Sequence, residues 1–479
     1  MKFSFLRPIA SVSASALVLS LASLPLHAEI DRSQKPAPAP APAASFPDFQ
    51  IRELASGLKV FVIEDTRKPT VTLRLLIKSG SSADAQKTGL ASFVARLLNR
   101  GTTSRDAAAF AAQSDFIGVS VEAAAGPDSI SVSAGGLTKY TDQIIDLFSD
   151  AVLHPVFPAE QFAKEQRKTL SSLAAEKQQP ERLADKLAGK IVFGTHPYGS
   201  YATAESVQAI QRDDLAAFHK NFFRPNNATL AIVGDVKAAD ILPRIEKALA
   251  QWERAEIPTT DLPAPPALDG ITIHLVDRPG SVQSNIVVTK LGPARNAGTT
   301  PELNVVNATL GGGFSGRLFQ NLREKHAWTY GAYSAFDLRK HLGAFEATAE
   351  TRNEVTHLAI REILKEMERI ATEPIPEQEL ELQRQYNVGN YLLSLESSGR
   401  IAQRVQDIDL YGLPPDFYHV YAKRMEGVTA TMALDLARKY VHSPNLAIIV
   451  VGEASQIRPE LEKIGRVHLY DTELKPLPH

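Results

Sequence analysis

The 479-residue chain contains no cysteine. That absence removes disulfides, thiolate nucleophiles, zinc ribbons, iron–sulfur clusters and lipoprotein anchoring from consideration. Charge of one sign is scarce too. Lys and Arg number 52 against 54 Asp and Glu, a net charge of −2, and no long Lys/Arg run occurs. A nucleic-acid binder needs a basic face, so no nucleic-acid partner is expected. Paired histidines are also missing: of the 12 His, no two lie three or four residues apart. No helix therefore offers two imidazoles to a metal from one face, and no metal site is expected in this chain. What is present is 44% hydrophobic residues, enough for well-packed soluble domains. The chemistry must come from His, carboxylates, Arg or Tyr.

The N-terminus has the form of a secretory signal. Lys2 and Arg7 precede an apolar, small-residue stretch from Ile9 to Leu24, and Leu26-His27-Ala28 offers a cleavage site after Ala28. Residues 1–28 are thus expected to be removed. An uncleaved anchor is the alternative, since Pro8 to Leu26 approaches spanning length. With cleavage, no integral membrane span remains. Export without cysteine suits a periplasm, where a large core needs no disulfides. Residues 29–45 contain a Pro/Ala-rich tether, and residues 257–268 form a Pro-rich linker with Pro258, Pro263, Pro265 and Pro266.

Segments 46–256 and 269–479, between and after these tethers, are similar in length, which prompts a search for a repeat. Ala228-Thr-Leu-Ala-Ile-Val-Gly234 matches Leu446-Ala-Ile-Ile-Val-Val-Gly452 at an offset of 218 residues, and Pro158-Ala-Glu-Gln161 matches Pro376-Glu-Gln-Glu379 at the same offset. Leu98-Asn-Arg-Gly101 faces Leu310-Gly-Gly-Gly313 at an offset of 212. Three matches in order, reconciled by one six-residue indel, indicate a duplicated unit. Within it, Thr70 to Ile77 and Ser129 to Ala134 alternate like strands, whereas Leu90, Phe93, Val94, Leu97 and Leu98 recur at helical spacing. Thr300 before Pro301 reads as an N-cap and first-turn pair. The fold class is therefore α+β: two homologous domains, each an antiparallel sheet packed with helices. Two such domains on a Pro-rich hinge suggest an enclosed chamber.

Three motifs carry a family resemblance. They are Gly89-Leu-Ala-Ser-Phe-Val-Ala-Arg-Leu-Leu-Asn-Arg-Gly-Thr102, Gly194-Thr-His-Pro-Tyr-Gly199, and Gly311-Gly-Gly-Phe-Ser-Gly-Arg-Leu-Phe-Gln-Asn-Leu-Arg-Glu-Lys325. The chain resembles the pitrilysin and mitochondrial-processing-peptidase family of zinc peptidases, the inverzincins. In active members the first motif holds H-x-x-E-H, two His that bind zinc and a Glu that serves as general base. Here those places carry Ser92, Ala95 and Arg96, and the third-ligand place carries Ser172. A strand Asn that holds substrate in active members is matched by Glu122. His196 reads as a structural loop residue.

The second motif set is retained. Arg323 and Tyr330 resemble the Arg/Tyr pair with which the family's second domain closes the active site. By the residues alone, Arg323 ends an amphipathic helix with Leu318, Phe319 and Leu322 inward, and Tyr330 sits on a following strand. A guanidinium and a phenol so held can donate to a peptide carbonyl that gains charge on attack. Equally, Arg323 can pair with a carboxylate and Tyr330 can pack in a sheet. Gly311, Gly312 and Gly313 can cap a helix and turn the chain, or let a substrate backbone approach closely.

The resemblance implies a non-catalytic subunit, one half of a clam-like chamber. Its expected partner is a homologous H-x-x-E-H-bearing chain that carries the zinc, with no cofactor in this chain and with peptides as substrates. Two alternatives stay open. One is a peptide-binding or scaffold protein without hydrolytic activity; the other is a stand-alone peptidase with a relocated metal site.

Overall fold

A computed structural model describes residues 45–296 and 298–478. The expected signal peptide and nearly all of the tether lie outside the described residues. The first half contains strands β1 (Gln50–Glu53), β2 (Lys59–Glu64), β3 (Thr70–Ile77), β4 (Ser120–Ala125), β5 (Ile130–Leu137) and β6 (Ala228–Gly234). Its helices are α1 (Leu90–Leu97), α2 (Ala107–Ile117), α3 (Thr141–Leu153), α4 (Ala159–Glu176), α5 (Pro180–Phe193), α6 (Ala204–Ala209), α7 (Arg212–Phe222) and α8 (Ala238–Ala248).

The second half repeats the plan. Its strands are β7 (Ile271–Asp277), β8 (Gln283–Gly292), β9 (Ala332–Asp337), β10 (Gly343–Arg352), β11 (Leu446–Gly452) and β12 (Arg466–Tyr470). Its helices are α9 (Thr300–Leu310), α10 (Arg317–Phe319), α11 (Thr356–Thr372), α12 (Glu377–Ser394), α13 (Ser398–Leu410), α14 (Tyr421–Glu426), α15 (Ala430–Tyr440) and α16 (Ala454–Leu461). Residues 253–269 form neither helix nor strand.

Each half holds one six-stranded sheet, ordered β1-β2-β6-β3-β5-β4 and β12-β7-β11-β8-β10-β9. Most neighbours are antiparallel. The parallel pairs are β2 with β6 in the first sheet, and β7 with both β11 and β12 in the second. The duplication is visible element by element: α4 and α12, α5 and α13, and β6 and β11 each start 218 residues apart. Strands β4 and β9 start 212 apart, so the indel falls between these strands and the long helices. Thr299, not Thr300, occupies the N-cap position of α9, without a capping side-chain hydrogen bond, a shift of one residue that leaves Pro301 in the first turn.

Strands β6 and β11 are buried along their whole length. Both are apolar without alternation because both of their faces are covered. Gly234 ends β6 at φ +149°, and a Cβ there would meet the Thr70 carbonyl oxygen at 2.1 Å, so only glycine fits.

What covers the central strands is a reciprocal exchange. Helix α13 of the second half packs on β3 and β6 of the first, and α5 of the first half packs on β8 and β11 of the second. The fully buried Gln406 of α13 donates from Nε2 to the Arg74 carbonyl at 2.7 Å and the Thr229 carbonyl at 2.8 Å, while the Arg74 guanidinium donates back to Gln406 Oε1. Three residues on, Asp409 receives Lys59 and, at 3.1 Å, Lys78. On the other side, Leu183, Ala184, Leu187 and Ala188 of α5 share an apolar cluster with Val287, Ala447, Ile449 and Val451. The two homologous halves thus hold each other's helices and cluster as one compact unit.

Two outcomes follow from this seam. Gln406→Ala strands two sheet carbonyls and opens a cavity, so unfolding by urea should show a loss of about 2–4 kcal/mol. An unchanged midpoint would mean that the glutamine is not part of the lock. Glu346 on β10 is pushed up to about 7, first by burial and then by the carboxylates of Asp185 and Asp337. Its folded value lies above the ordinary 4.5, so the folded state binds the proton more tightly. The stability this provides is complete below the ordinary value and is lost as pH rises through about 7. Glu346→Gln should therefore flatten that part of the stability profile and raise stability above it, as read by thermal melts across pH.

Candidate functional site

The first candidate surface lies where α1, α4 and β4 meet. Helix α1 is fixed at both ends. Asp84 accepts from the backbone N–H groups of Gly89 at 2.7 Å and Ala91 at 2.8 Å, capping the start. Burial pushes the Asp84 carboxyl up to about 6, against the pull of these donors. Gly89 takes φ +106°, which suits glycine. At the far end, Asn99 Nδ2 donates to the Val121 carbonyl of β4 at 2.7 Å. Phe93, Val94, Leu97 and Leu98 fill the core, as their spacing requires.

On this helix Ser92 is half-buried, Ala95 is buried and Arg96 projects outward. Arg96 crosses to α4 and donates from Nη1 to Glu165 Oε1 at 3.0 Å and to Thr169 Oγ1 at 3.4 Å. Glu165, Thr169 and Ser172 share one face of α4 by their four- and seven-residue spacing. Ser172 is exposed one turn beyond Thr169 on that face, and Glu165 is the residue that sequence reasoning missed. Ala95 presents no general base. The residues do not fit zinc. Neither Ser92 nor Ser172 is a customary zinc ligand, and the resemblance puts a guanidinium, which offers no lone pair to a metal, where a second histidine is expected. Among the described residues no group of three or more His, Asp or Glu is placed to hold a metal ion. Glu122 is exposed on β4, the outermost strand of its sheet.

The second candidate surface is built around the glycine loop after α9. Gly311 is buried, and a Cβ there would meet the Ser334 backbone nitrogen at 2.6 Å. Its carbonyl accepts from Ser334 N–H of β9 at 2.9 Å. Gly312 lies equally close to α9, with Ala308 Cα at 2.8 Å from a notional Cβ. Both therefore serve packing first. Gly313 is half-buried and borders the Tyr386 hydroxyl. The buried Arg317 clamps this loop to α12 through a bidentate pair with Glu379, at 2.7 and 2.9 Å.

Arg323 does not end an α-helix as the sequence suggested. Helix α10 passes into a π-helical turn over Gln320–Lys325, and Arg323 lies inside it. Asn321 braces the turn by donating to Glu362 at 2.8 Å and to the buried Glu366 at 2.9 Å. The chain then reverses through Ala327 at φ +52°. Tyr330 is not on a strand either; it stands in the bend before β9. The reversal brings the pair together, with Arg323 Nη1 donating to the Tyr330 carbonyl at 3.1 Å. The Tyr330 ring is 85% exposed, free to meet a ligand. The Arg323 guanidinium also lies 4.8 Å from the Phe319 ring centre. Phe319 contacts Phe314 and Tyr333 at ring separations of 5.0 and 5.9 Å. Phe314, Tyr330, Tyr333 and Tyr386 are all exposed, giving an aromatic surface beside the Arg/Tyr pair. The sequence carried a signal for Phe314, an aromatic residue inside a glycine loop.

His196 is buried, its Nδ1 accepting from the Tyr198 N–H at 3.1 Å. Tyr198 donates to Asp128, and Arg339 lies over its ring at 4.8 Å. The Gly194–Gly199 motif is thus a clasp between the halves.

Two family models match this chain: Insulinase (Peptidase family M16) over residues 59–203 and Peptidase M16 inactive domain over residues 209–387. The chain belongs to peptidase family M16. This family member is 24% identical over 365 residues to an uncharacterized zinc protease of Rickettsia felis, covering 75% of this chain and 86% of the relative. It is 24% identical over 408 residues to one from Mycobacterium leprae, covering 84% and 92%. A peptidase M16 inactive domain from Pseudomonas fluorescens superposes with a TM-score of 0.79 at 25% identity, over 85% of this chain and 98% of that one. A periplasmic protease from Escherichia coli shares the fold with a TM-score of 0.69 at 14% identity, over 88% of this chain and 50% of that one. Among the described residues of this M16 protein, no helix is long and apolar enough to cross a membrane.

The assignment of the ligand places can be tested directly. In the combined variant Ser92→His, Arg96→His, Ser172→Glu, two imidazoles and a carboxylate should bind about one zinc per chain by metal analysis after dialysis. A variant that folds and binds none would contradict the alignment of these positions.

Proposed function

We propose that this M16 protein is a non-catalytic, periplasmic subunit of a heterodimeric zinc peptidase. The observation that supports this reading is an asymmetry between duplicated halves. At the places that the resemblance assigns to zinc ligands and base, the first half carries Ser92, Ala95, Arg96 and Ser172, with Arg96 tied to Glu165. The second half keeps Arg323 and Tyr330 side by side next to exposed aromatic rings. A partner with H-x-x-E-H in its own first domain would supply the metal and the base. This chain's own contribution is binding and orientation. Exposed aromatic rings offer apolar contact to peptide side chains at low entropic cost, and β9, an outermost strand, offers main-chain hydrogen bonds to an extended segment. Arg323 Nε also faces Glu324 Oε1 at 3.6 Å, and the guanidinium keeps further N–H groups beyond that contact and the one given to Tyr330. These, with the Tyr330 hydroxyl, can donate to a carbonyl oxygen as it gains charge.

A peptide-binding protein without a hydrolytic partner is the second reading. It draws on the same aromatic surface and on the loss of the ligand residues, and the fold permits it, since fold does not dictate function. The two differ in what Arg323 does. In the reconstituted complex, Arg323→Ala should lower kcat by about 10²-fold if it acts as an oxyanion donor. Tyr330→Phe should lower it less, because only the hydroxyl is lost. Melting temperatures of both variants should match the parent, separating chemistry from unfolding. Unchanged turnover by an intact Arg323→Ala complex would refute the transition-state role.

A further inference from the structure

Helices α4 and α12 serve as an internal control on each other. Both have 18 residues, both follow a proline, and they start 218 positions apart. In that register Lys164, Arg167 and Lys168 of α4 correspond to Leu382, Gln385 and Tyr386 of α12. The fold is built in α12 without charge at these places, so the cations of α4 are not a requirement of folding.

Nor are they spent on local ion pairs. Lys164, Arg167 and Lys168 are exposed, and among the described residues none has an ion-pair or side-chain hydrogen-bond partner. Glu160, four residues before Lys164, does not pair with it. The other two acids of α4 are committed elsewhere, Glu165 to Arg96 at 3.0 Å and Glu176 to Lys186 at 2.5 Å. Arg100, four residues after Arg96, is exposed and likewise unpaired. Lys164, Lys168 and Ser172 succeed one another at four-residue spacing, so the two lysines run alongside the face that carries Ser172, and Arg167 lies farther round the helix. In a chain of net charge −2, this is a local excess of positive charge.

We infer that the α1–α4 surface, at the degenerate ligand places, recognises an acidic segment of a peptide chain. Arg96 is the fixed member of the site. Its guanidinium is held by Glu165 and remains 51% exposed, leaving N–H groups for a carboxylate. Lys164, Arg167 and Lys168 supply long-range attraction and adaptable donors. Glu122 stands exposed on β4, so the ligand's acidic residues lie along α4 and not along that strand. The choice of a peptide over other polyanions rests on the peptidase-family reading; the charge argument itself does not depend on a partner or on zinc.

The test is a fluorescence-anisotropy titration of the purified full chain with a Glu-rich peptide and with the same peptide carrying Gln at each Glu. The acidic peptide should bind at least about tenfold more tightly at low salt, with the gap narrowing at physiological ionic strength. The variant Lys164→Gln, Arg167→Gln, Lys168→Gln should remove that preference. The control Lys190→Gln, Lys220→Gln, Lys247→Gln, which changes net charge equally, should keep it. Equal binding of both peptides, or loss of preference in the control as well, would overturn the proposal. A single-stranded oligonucleotide that binds as tightly as the acidic peptide would overturn the peptide assignment. These binding data do not involve turnover, so a failure here and a failure of the heterodimer reading are distinguishable.

Discussion

The structure depends on an exchange of helices between its duplicated halves. Strands β6 and β11 are too apolar to stand with one face in water, and each is covered by a helix from the other half. Gln406 makes the exchange specific by bonding two carbonyls of the opposite sheet from a fully buried position. A buried amide with both carbonyl partners in place is stabilising, and one without them is costly. The lock therefore disfavours loosened arrangements as well as favouring the closed one. Both candidate surfaces then belong to one compact unit.

The shape of each half is held by its own anchors and by this exchange, whatever residues line the surfaces. At the α1–α4 surface, helix α1, which carries Ser92, Ala95 and Arg96, is anchored at its ends by Asp84 and Asn99. Nothing in those anchors needs a metal. Arg96 provides a positive charge between the two helices and pairs with Glu165. The second half follows the opposite course. Its Arg/Tyr pair depends on a π-helical turn braced by Asn321 and on a left-handed residue, Ala327. Strained backbone of this kind concentrates at functional sites.

Much of this was legible in the residues. The duplication and its 218-residue register are found intact in the helices and strands, because repeated elements keep their spacing where they pack against the same partners. The α+β class and the strand at Thr70–Ile77 follow from apolar alternation, as does the strand expected at Ser129–Ala134, which runs from Ile130 to Leu137. Hydrophobic pattern says which face of an element is buried but not whose element buries it, so the helix exchange was not readable and a hinge was expected in its place. The setting of Arg323 and Tyr330 escaped for a related reason. A π-helical turn differs from an α-helix by one residue per turn and leaves no compositional mark. The link between Arg96 and Glu165 joins residues 69 positions apart, and a pairing at that distance is set by how α1 and α4 cross.

The account's central claim is that this chain supplies binding and orientation to a zinc-bearing partner. The most direct measurement is to purify the protein from its native cells under mild conditions and determine bound zinc and co-purifying chains together. The account expects about one zinc per pair of unlike chains, the second carrying H-x-x-E-H. Zinc bound to this chain alone, or a chain that purifies with neither zinc nor partner, would contradict it.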